Sequence, residues 1–141
     1  MSTPRRQEHG SVSIWLATTG FAMVVLAGLA IDLGGHVHTQ QRARAVAAEA
    51  ARTGGQQLQA APAIRGQAVR TDTATATRAA KAYLAASGMT GRVRVTGGDT
   101  ITVDTSDTYT TTFLGIIGIT TLPVTGHAEA KVTRTVGGVE Q

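Results

Sequence analysis

Cysteine is missing from all 141 residues. That excludes a disulfide framework and every thiolate metal site. Aromatics are nearly missing as well, with one Trp, two Tyr and two Phe. Base-stacking platforms need more than this, so no nucleic-acid partner is expected. Lysine is scarce: 11 of the 13 basic residues are Arg, beside 23 Ala and 23 Thr, a bias that a GC-rich genome produces without any binding role. No G-x-x-x-x-G-K-[ST] motif is present, so there is no P-loop. Formal charge of either sign is missing between Glu8 and Asp32, and that gap is the main clue to what the chain does.

The gap contains VSIWLATTGFAMVVLAGLAI, from Val12 to Ile31. At about 1.5 Å per residue, such a helix spans roughly 30 Å, one bilayer core. Ser13, Thr18 and Thr19 can return their hydroxyls to helix carbonyls, and Gly20 and Gly28 suit a membrane helix better than a soluble one. The rest of the chain is too poor in large apolar residues to bury such a helix in a soluble core. Three membrane-directed readings stand: a signal peptide cut near Gly28-Leu29-Ala30, a signal anchor kept whole, and a pilin-type leader cut between Gly10 and Ser11 that leaves the apolar helix on the mature protein. Arg5 and Arg6 lie before the run, and the nearest basic residue after it is Arg42. The positive-inside rule then puts the N-terminus in the cytoplasm and the rest outside.

Beyond the run, residues 40–51 (QQRARAVAAEAA) are strong helix formers. Ala43, Ala47, Ala50 and Gly54 recur at helical spacing on one face, a stripe of small residues that lets another helix approach closely. Gly54-Gly55 is expected to weaken or kink this helix, and Pro62 and Gly66 to break it. A second helix is expected over Thr71–Ser87, capped by Thr71 or Asp72, with an apolar stripe of Ala76, Ala79, Ala80, Tyr83 and Leu84 and a stop at Gly88. After Gly91 the period becomes alternating. Arg92–Thr96 and Thr100–Thr105 flank the turn Gly97-Gly98-Asp99, a hairpin with Val93, Val95, Ile101 and Val103 on its apolar face. Phe113–Ile119 is a short apolar segment with two glycines, either a half-turn of helix or a loop inserted beneath the sheet. His127–Val136 reads as a last strand. Residues 33–92 carry eight basic and two acidic groups, and residues 93–141 three and five, so the two halves of the outer region complement each other in charge.

The candidates for chemistry are weak. His36 and His38 face apart on a helix. His127 has no carboxylate near in sequence except Glu129. Asp99, Asp104 and Asp107 lack EF-hand spacing and read as a polar loop. Ser11, Ser13, Ser87 and Ser106 sit in no nucleophile motif. The Thr-rich run 108–112 is explained by the β-propensity of Thr. No catalytic residue, metal site, cofactor or small-molecule substrate is expected, and no enzyme.

The order of blocks resembles a known family. His9-Gly10-Ser11-Val12-Ser13-Ile14, Leu26-Ala27-Gly28-Leu29-Ala30-Ile31-Asp32-Leu33-Gly34, Gln40-Gln41-Arg42-Ala43 and Ala47-Ala48-Glu49-Ala50-Ala51 are similar to the TadE/TadG-like proteins of Tad (tight-adherence) pilus assembly. Thr112-Phe113-Leu114-Gly115, then Val124 and the Ala128/Ala130 alternation, is similar to their tails. The resemblance implies an envelope protein of a Flp-type, type IV-like pilus or secretion system, whose partners are other Tad/Flp pilus proteins or pilins and the lipid bilayer. It also implies a prepilin peptidase acting on some members. Pilin-like members often carry Glu at the fifth mature position, where this chain, counted from Ser11, has Trp15.

The expected architecture is α+β and membrane-anchored. It comprises a basic leader (1–10), a transmembrane helix (11–33) that continues into an Ala-rich extracytoplasmic helix (34–61), a linker (62–70), a small α+β domain with a second helix and about three or four antiparallel strands (71–136), and a tail (137–141). The expected function is that of a minor pilin-like or pilus-assembly protein working through the face of Ala43, Ala47, Ala50 and Gly54. The alternative is a single-pass anchored extracytoplasmic binding module unrelated to pili.

Overall fold

The structure is a computed structural model that describes residues 9–60, 67–132, 135–136 and 139–140, with side chains over 11–58 and 72–132. Helix α1 runs unbroken from His9 to Ala60, roughly 78 Å at 1.5 Å per residue. The apolar helix thus continues into the Ala-rich helix as expected, with residues 33/34 inside one element. Gly54-Gly55 does not break it. A Cβ at Gly54 would collide with the Ile101 side chain and lie 3.0 Å from the Ala76 carbonyl oxygen. The glycine is there for close approach, and packing on both sides holds it helical. The break expected at Pro62 and Gly66 lies outside the described residues.

Helix α2 (Gln67–Ala86) begins one turn before the expected cap at Thr71 or Asp72, so residues 67–70 of the expected linker are helical. Ala76, Ala80 and Leu84 are buried and Tyr83 is half-buried, which matches the stripe read at helical spacing. Strands β1 (Thr90–Thr96), β2 (Thr100–Thr110) and β3 (Thr121–Lys131) form an antiparallel sheet in the order β1-β2-β3. Val93 stands opposite Val103 and Val95 opposite Ile101, the hairpin that the alternation predicts. Its turn uses Gly97 and Gly98 at φ 65° and 76°, left-handed conformations that glycine adopts without steric cost. Of the last expected strand, 127–136, residues 127–131 are instead the second half of β3, and Thr135–Val136 form a short separate strand, β4, paired with β5 (Val139–Glu140). The fold class is α+β.

One face of the sheet packs on α1 and α2. Ala47, Ala50, Ala51, Leu58, Ala76, Ala80, Leu84, Ile101, Val103 and Val132 form the core. A smaller cluster of Ala43, Met89 and Val124 extends it toward the N-terminal half of α1. Small helix residues here meet large strand residues, so the helix axis lies close to the sheet. The other face carries Arg94, Asp104 and His127 in contact with one another and is exposed.

Candidate functional site

The face of α1 that touches the domain extends well beyond the Ala stripe. Ala43, Ala47, Ala50 and Gly54 are all buried, but by the chain's own sheet and α2. The carbonyl oxygen of Ala43 accepts a hydrogen bond from the buried Thr105 hydroxyl at 2.9 Å. A Cβ at Gly126, on β3, would run into the Ala43 backbone. The expectation of a second helix from a partner on this face is therefore corrected. Backbone-to-backbone approach within the chain has already taken the space.

Read toward the N-terminus, the same face continues through His36, Gly35, Asp32 and Gly28. His36 Nε2 lies 3.2 Å from the carbonyl oxygen of Pro123, and its ring meets Tyr109 edge-on, with centroids 6.3 Å apart. A Cβ at Gly35 would collide with the Tyr109 ring and hydroxyl, and one at Gly28 would sit 2.7 Å from ring carbons of Phe113. Between the two glycines, Asp32 is fully buried.

The Asp32 carboxylate organises the connection between β2 and β3. Its Oδ1 accepts the backbone N–H of Thr112 at 2.6 Å, and its Oδ2 accepts those of Phe113 at 2.8 Å and Leu114 at 2.6 Å. The Tyr109 hydroxyl donates to Oδ1 at 3.5 Å. Three successive N–H groups converging on one carboxylate make an anion-binding concavity of the kind found at helix N-termini. Here a side chain from the long helix fills it. The N–H groups lead into a short 3₁₀ turn, Leu114–Ile117. The loop is also closed on itself. The Thr111 N–H donates to the Thr120 carbonyl at 3.0 Å, the Thr111 hydroxyl donates to the Ile119 carbonyl, and the Ile119 N–H donates to Leu114 at 3.0 Å. Phe113–Ile119 thus does not lie beneath the sheet. It is the tip of the β2–β3 hairpin, clamped against α1, because the core beneath the sheet is already full of helix.

On the outer sheet face, Asp104 accepts from Arg94 at 2.9 Å and lies 2.7 Å from His127 Nδ1. First His127 and then Arg94 hold its carboxyl below the usual carboxylate range. Asp104 stands directly opposite His127 in the β2–β3 register, so the carboxylate partner of His127 is Asp104 and not Glu129, its neighbour in sequence. Asp104 and Asp107 are strand residues, which removes the reading of the three Asp residues as one loop. A shallow depression beside this cluster is lined by Gln40, Arg44, Arg92, Ser106 and Thr125. Among the described residues no three His, Asp or Glu side chains are grouped to hold a metal ion.

The bond between Gly10 and Ser11 lies within the first turn of α1, and the leader before His9 lies outside the described residues. From Ser11 to Ala27 the helix makes no contact with the domain core: Trp15 is 68% exposed and Phe21 70%. Among the described residues α1 is the one helix long and apolar enough to cross a membrane. Residues 10–57 match the family model of Flp pilus-assembly TadE/G-like Tad proteins. This segment is similar to the Tad family over about a third of the chain. The matched segment spans both halves of α1, the bare apolar half and the half that docks the domain, and includes Gly28, Asp32 and Gly35. No curated protein and no solved structure matches the chain.

Proposed function

We propose that the chain is a single-pass, membrane-anchored minor pilin-like or assembly protein of a Tad/Flp-type pilus or secretion system. Its N-terminus is cytoplasmic and its α+β domain extracytoplasmic. The observation that carries this reading is the division of one Tad-matched helix into a bare apolar half and a domain-bound half. A soluble protein does not leave Trp15, Leu16, Phe21, Met23 and Leu26 on its surface in one continuous run. A bilayer supplies the missing apolar surroundings.

Lateral contacts with other Tad/Flp pilus proteins then fall to residues 11–27 in the bilayer and to the outer surface of the domain, since the Ala face is used internally. The proposed role is structural, exerted through protein–protein contacts. Two measurements test the reading. Protease added to cells stripped of their wall should digest residues 36–141, and protection of that region until lysis reverses the orientation. Co-purification from solubilised membranes should recover Flp pilus components, and their absence after cross-linking defeats the assembly role. The mature N-terminus separates the two forms of anchor. A start at Ser11 that Gly10→Leu abolishes means peptidase processing, and a start at Met1 or Ser2 means an uncleaved anchor.

A further inference from the structure

The hairpin tip clamped by Asp32 exposes an unusual set of side chains. Ile116 is 82% exposed and Ile117 72%, and Ile119 and Phe113 are also exposed. These are large apolar groups on a turn that backbone hydrogen bonds hold rigid. Their position along α1 is set by contacts. Thr105 meets Ala43, Tyr109 meets Gly35 and Asp32, and Phe113 meets Gly28. Strand β2 and the residues that follow it therefore descend along the helix from residue 43 to residue 28, roughly 22 Å at 1.5 Å per residue. Its tip arrives beside the last turns of the charge-free apolar run.

We propose that the β2–β3 tip, through Phe113, Ile116, Ile117 and Ile119, inserts into the outer interfacial layer of the bilayer beside α1 and gives the domain a second membrane contact. The inference rests on the reading of α1 as a membrane span, and it adds that the domain lies against the membrane surface. Three further observations point to lipid as the occupant. The segment from Thr108 to Gly126 contains no charged residue, so nothing near the tip resists entry. The exposed threonines 110, 112, 120 and 121 flank the apolar tip, placing hydroxyls where water and headgroups begin. The carboxylate at this depth, Asp32, is buried and saturated by N–H donors, so it is shielded from hydrocarbon. A convex tip of four side chains also falls short of the roughly 800 Å² per partner that a protein interface stable on its own requires. Interfacial elements that lie on membranes bury their apolar side by about 5–10 Å, which a single turn achieves.

The absence of cysteine makes the test direct. Ile116→Cys and Ile117→Cys, each 70% exposed or more, are labelled with a solvent-sensitive fluorophore in the full chain, reconstituted in phosphatidylcholine–phosphatidylglycerol vesicles. Phe21→Cys reports the span, and Thr125→Cys, on the exposed side of β3, reports water. The expected result is blue-shifted emission at 116 and 117, quenched by lipids brominated near the headgroup end of the acyl chain. Phe21 should be quenched by lipids brominated deeper, and Thr125 by neither. Quenching at Phe21 with water-like emission at 116 and 117 overturns the inference and leaves the span intact. Blue-shifted emission at the tip that lipid does not quench, and that fades as the protein is diluted among vesicles, means that a second copy covers the tip and also overturns it. Water-like emission at Phe21 defeats the span and the inference together.

Discussion

The two halves of α1 carry opposite kinds of residue on their surfaces. From 11 to 27 the large side chains are exposed and none belongs to the domain core. From 28 to 58 the buried residues are Gly, Ala and one carboxylate, with Leu58 at the end. On the proposed membrane reading, the first half needs bulk because lipid is fluid and fills any shape. The second half needs smallness because its surroundings are another piece of backbone. Close packing fixes that distance, and added carbons cannot be absorbed without strain. One continuous helix therefore follows two composition rules, and Gly28 and Asp32 mark where one gives way to the other.

Valine substitutions at two glycines set the halves against each other most sharply. Gly126→Val would push a branched side chain into the Ala43 backbone and the Thr105 hydroxyl. We expect a loss of about 3 kcal/mol, the upper end of the cost of overpacking, seen as a lower thermal midpoint of the purified full chain in detergent. Gly20→Val meets nothing within 4 Å and should leave that midpoint in place. A comparable drop from both would erase the distinction between the halves.

Ala47→Leu comes next. The site is fully buried in the core beneath the sheet, and the change costs only a few tenths of a kcal/mol in helix propensity. Overpacking should destabilise the domain by about 2 kcal/mol, measured by chemical unfolding of the monomer. If domain stability is unchanged and only association between chains falls, the stripe faces a partner after all and the intramolecular assignment fails.

Asp32→Asn tests the clamp with almost no change of shape. One carboxylate oxygen becomes an NH₂ group, a donor pointed at N–H donors, and the negative charge is lost. The tip should open locally while the core stays folded, because Asp32 touches the loop and not the main cluster. Cleavage within residues 112–119 by a dilute protease should rise by roughly tenfold, the scale on which one lost interaction shifts a local equilibrium. An unchanged cleavage rate removes Asp32 from the clamp.

These particular residues also show what was legible in the sequence. The hairpin of Val93, Val95, Ile101 and Val103 was readable because strand alternation and a Gly-Gly turn are local signals. So was the stripe of α2. The Ala stripe on α1 was visible as a packing face, but its occupant was not. Small residues at helical spacing look the same whether they meet a neighbour or the chain's own sheet. Asp32 was visible only as a charge at the end of an apolar run, since its partners lie 80 to 82 residues further along. The pairing of Asp104 with His127 depends on the β2–β3 register across a ten-residue connection, which no tight turn fixes in advance.

The smallest effect is expected on the outer sheet face, where the polar cluster has no counterpart on the buried side. His127 and Arg94 favour the charged form of Asp104, so its folded pKa lies below the ordinary value of 3.8. A lowered carboxylate pKa means that the unfolded chain binds the proton more readily than the folded one. The pair's contribution is whole above about pH 4 and shrinks as pH falls through the folded value. All three side chains are substantially exposed, so water and salt screen the interaction and its contribution is slight. Unfolding curves of wild type and Asp104→Asn should therefore run nearly parallel from neutral pH down to about 4 and converge below it, with the gap narrowing as salt is added. A gap that widens in acid would reverse the sign and show that Asp104 is held protonated by its neighbours.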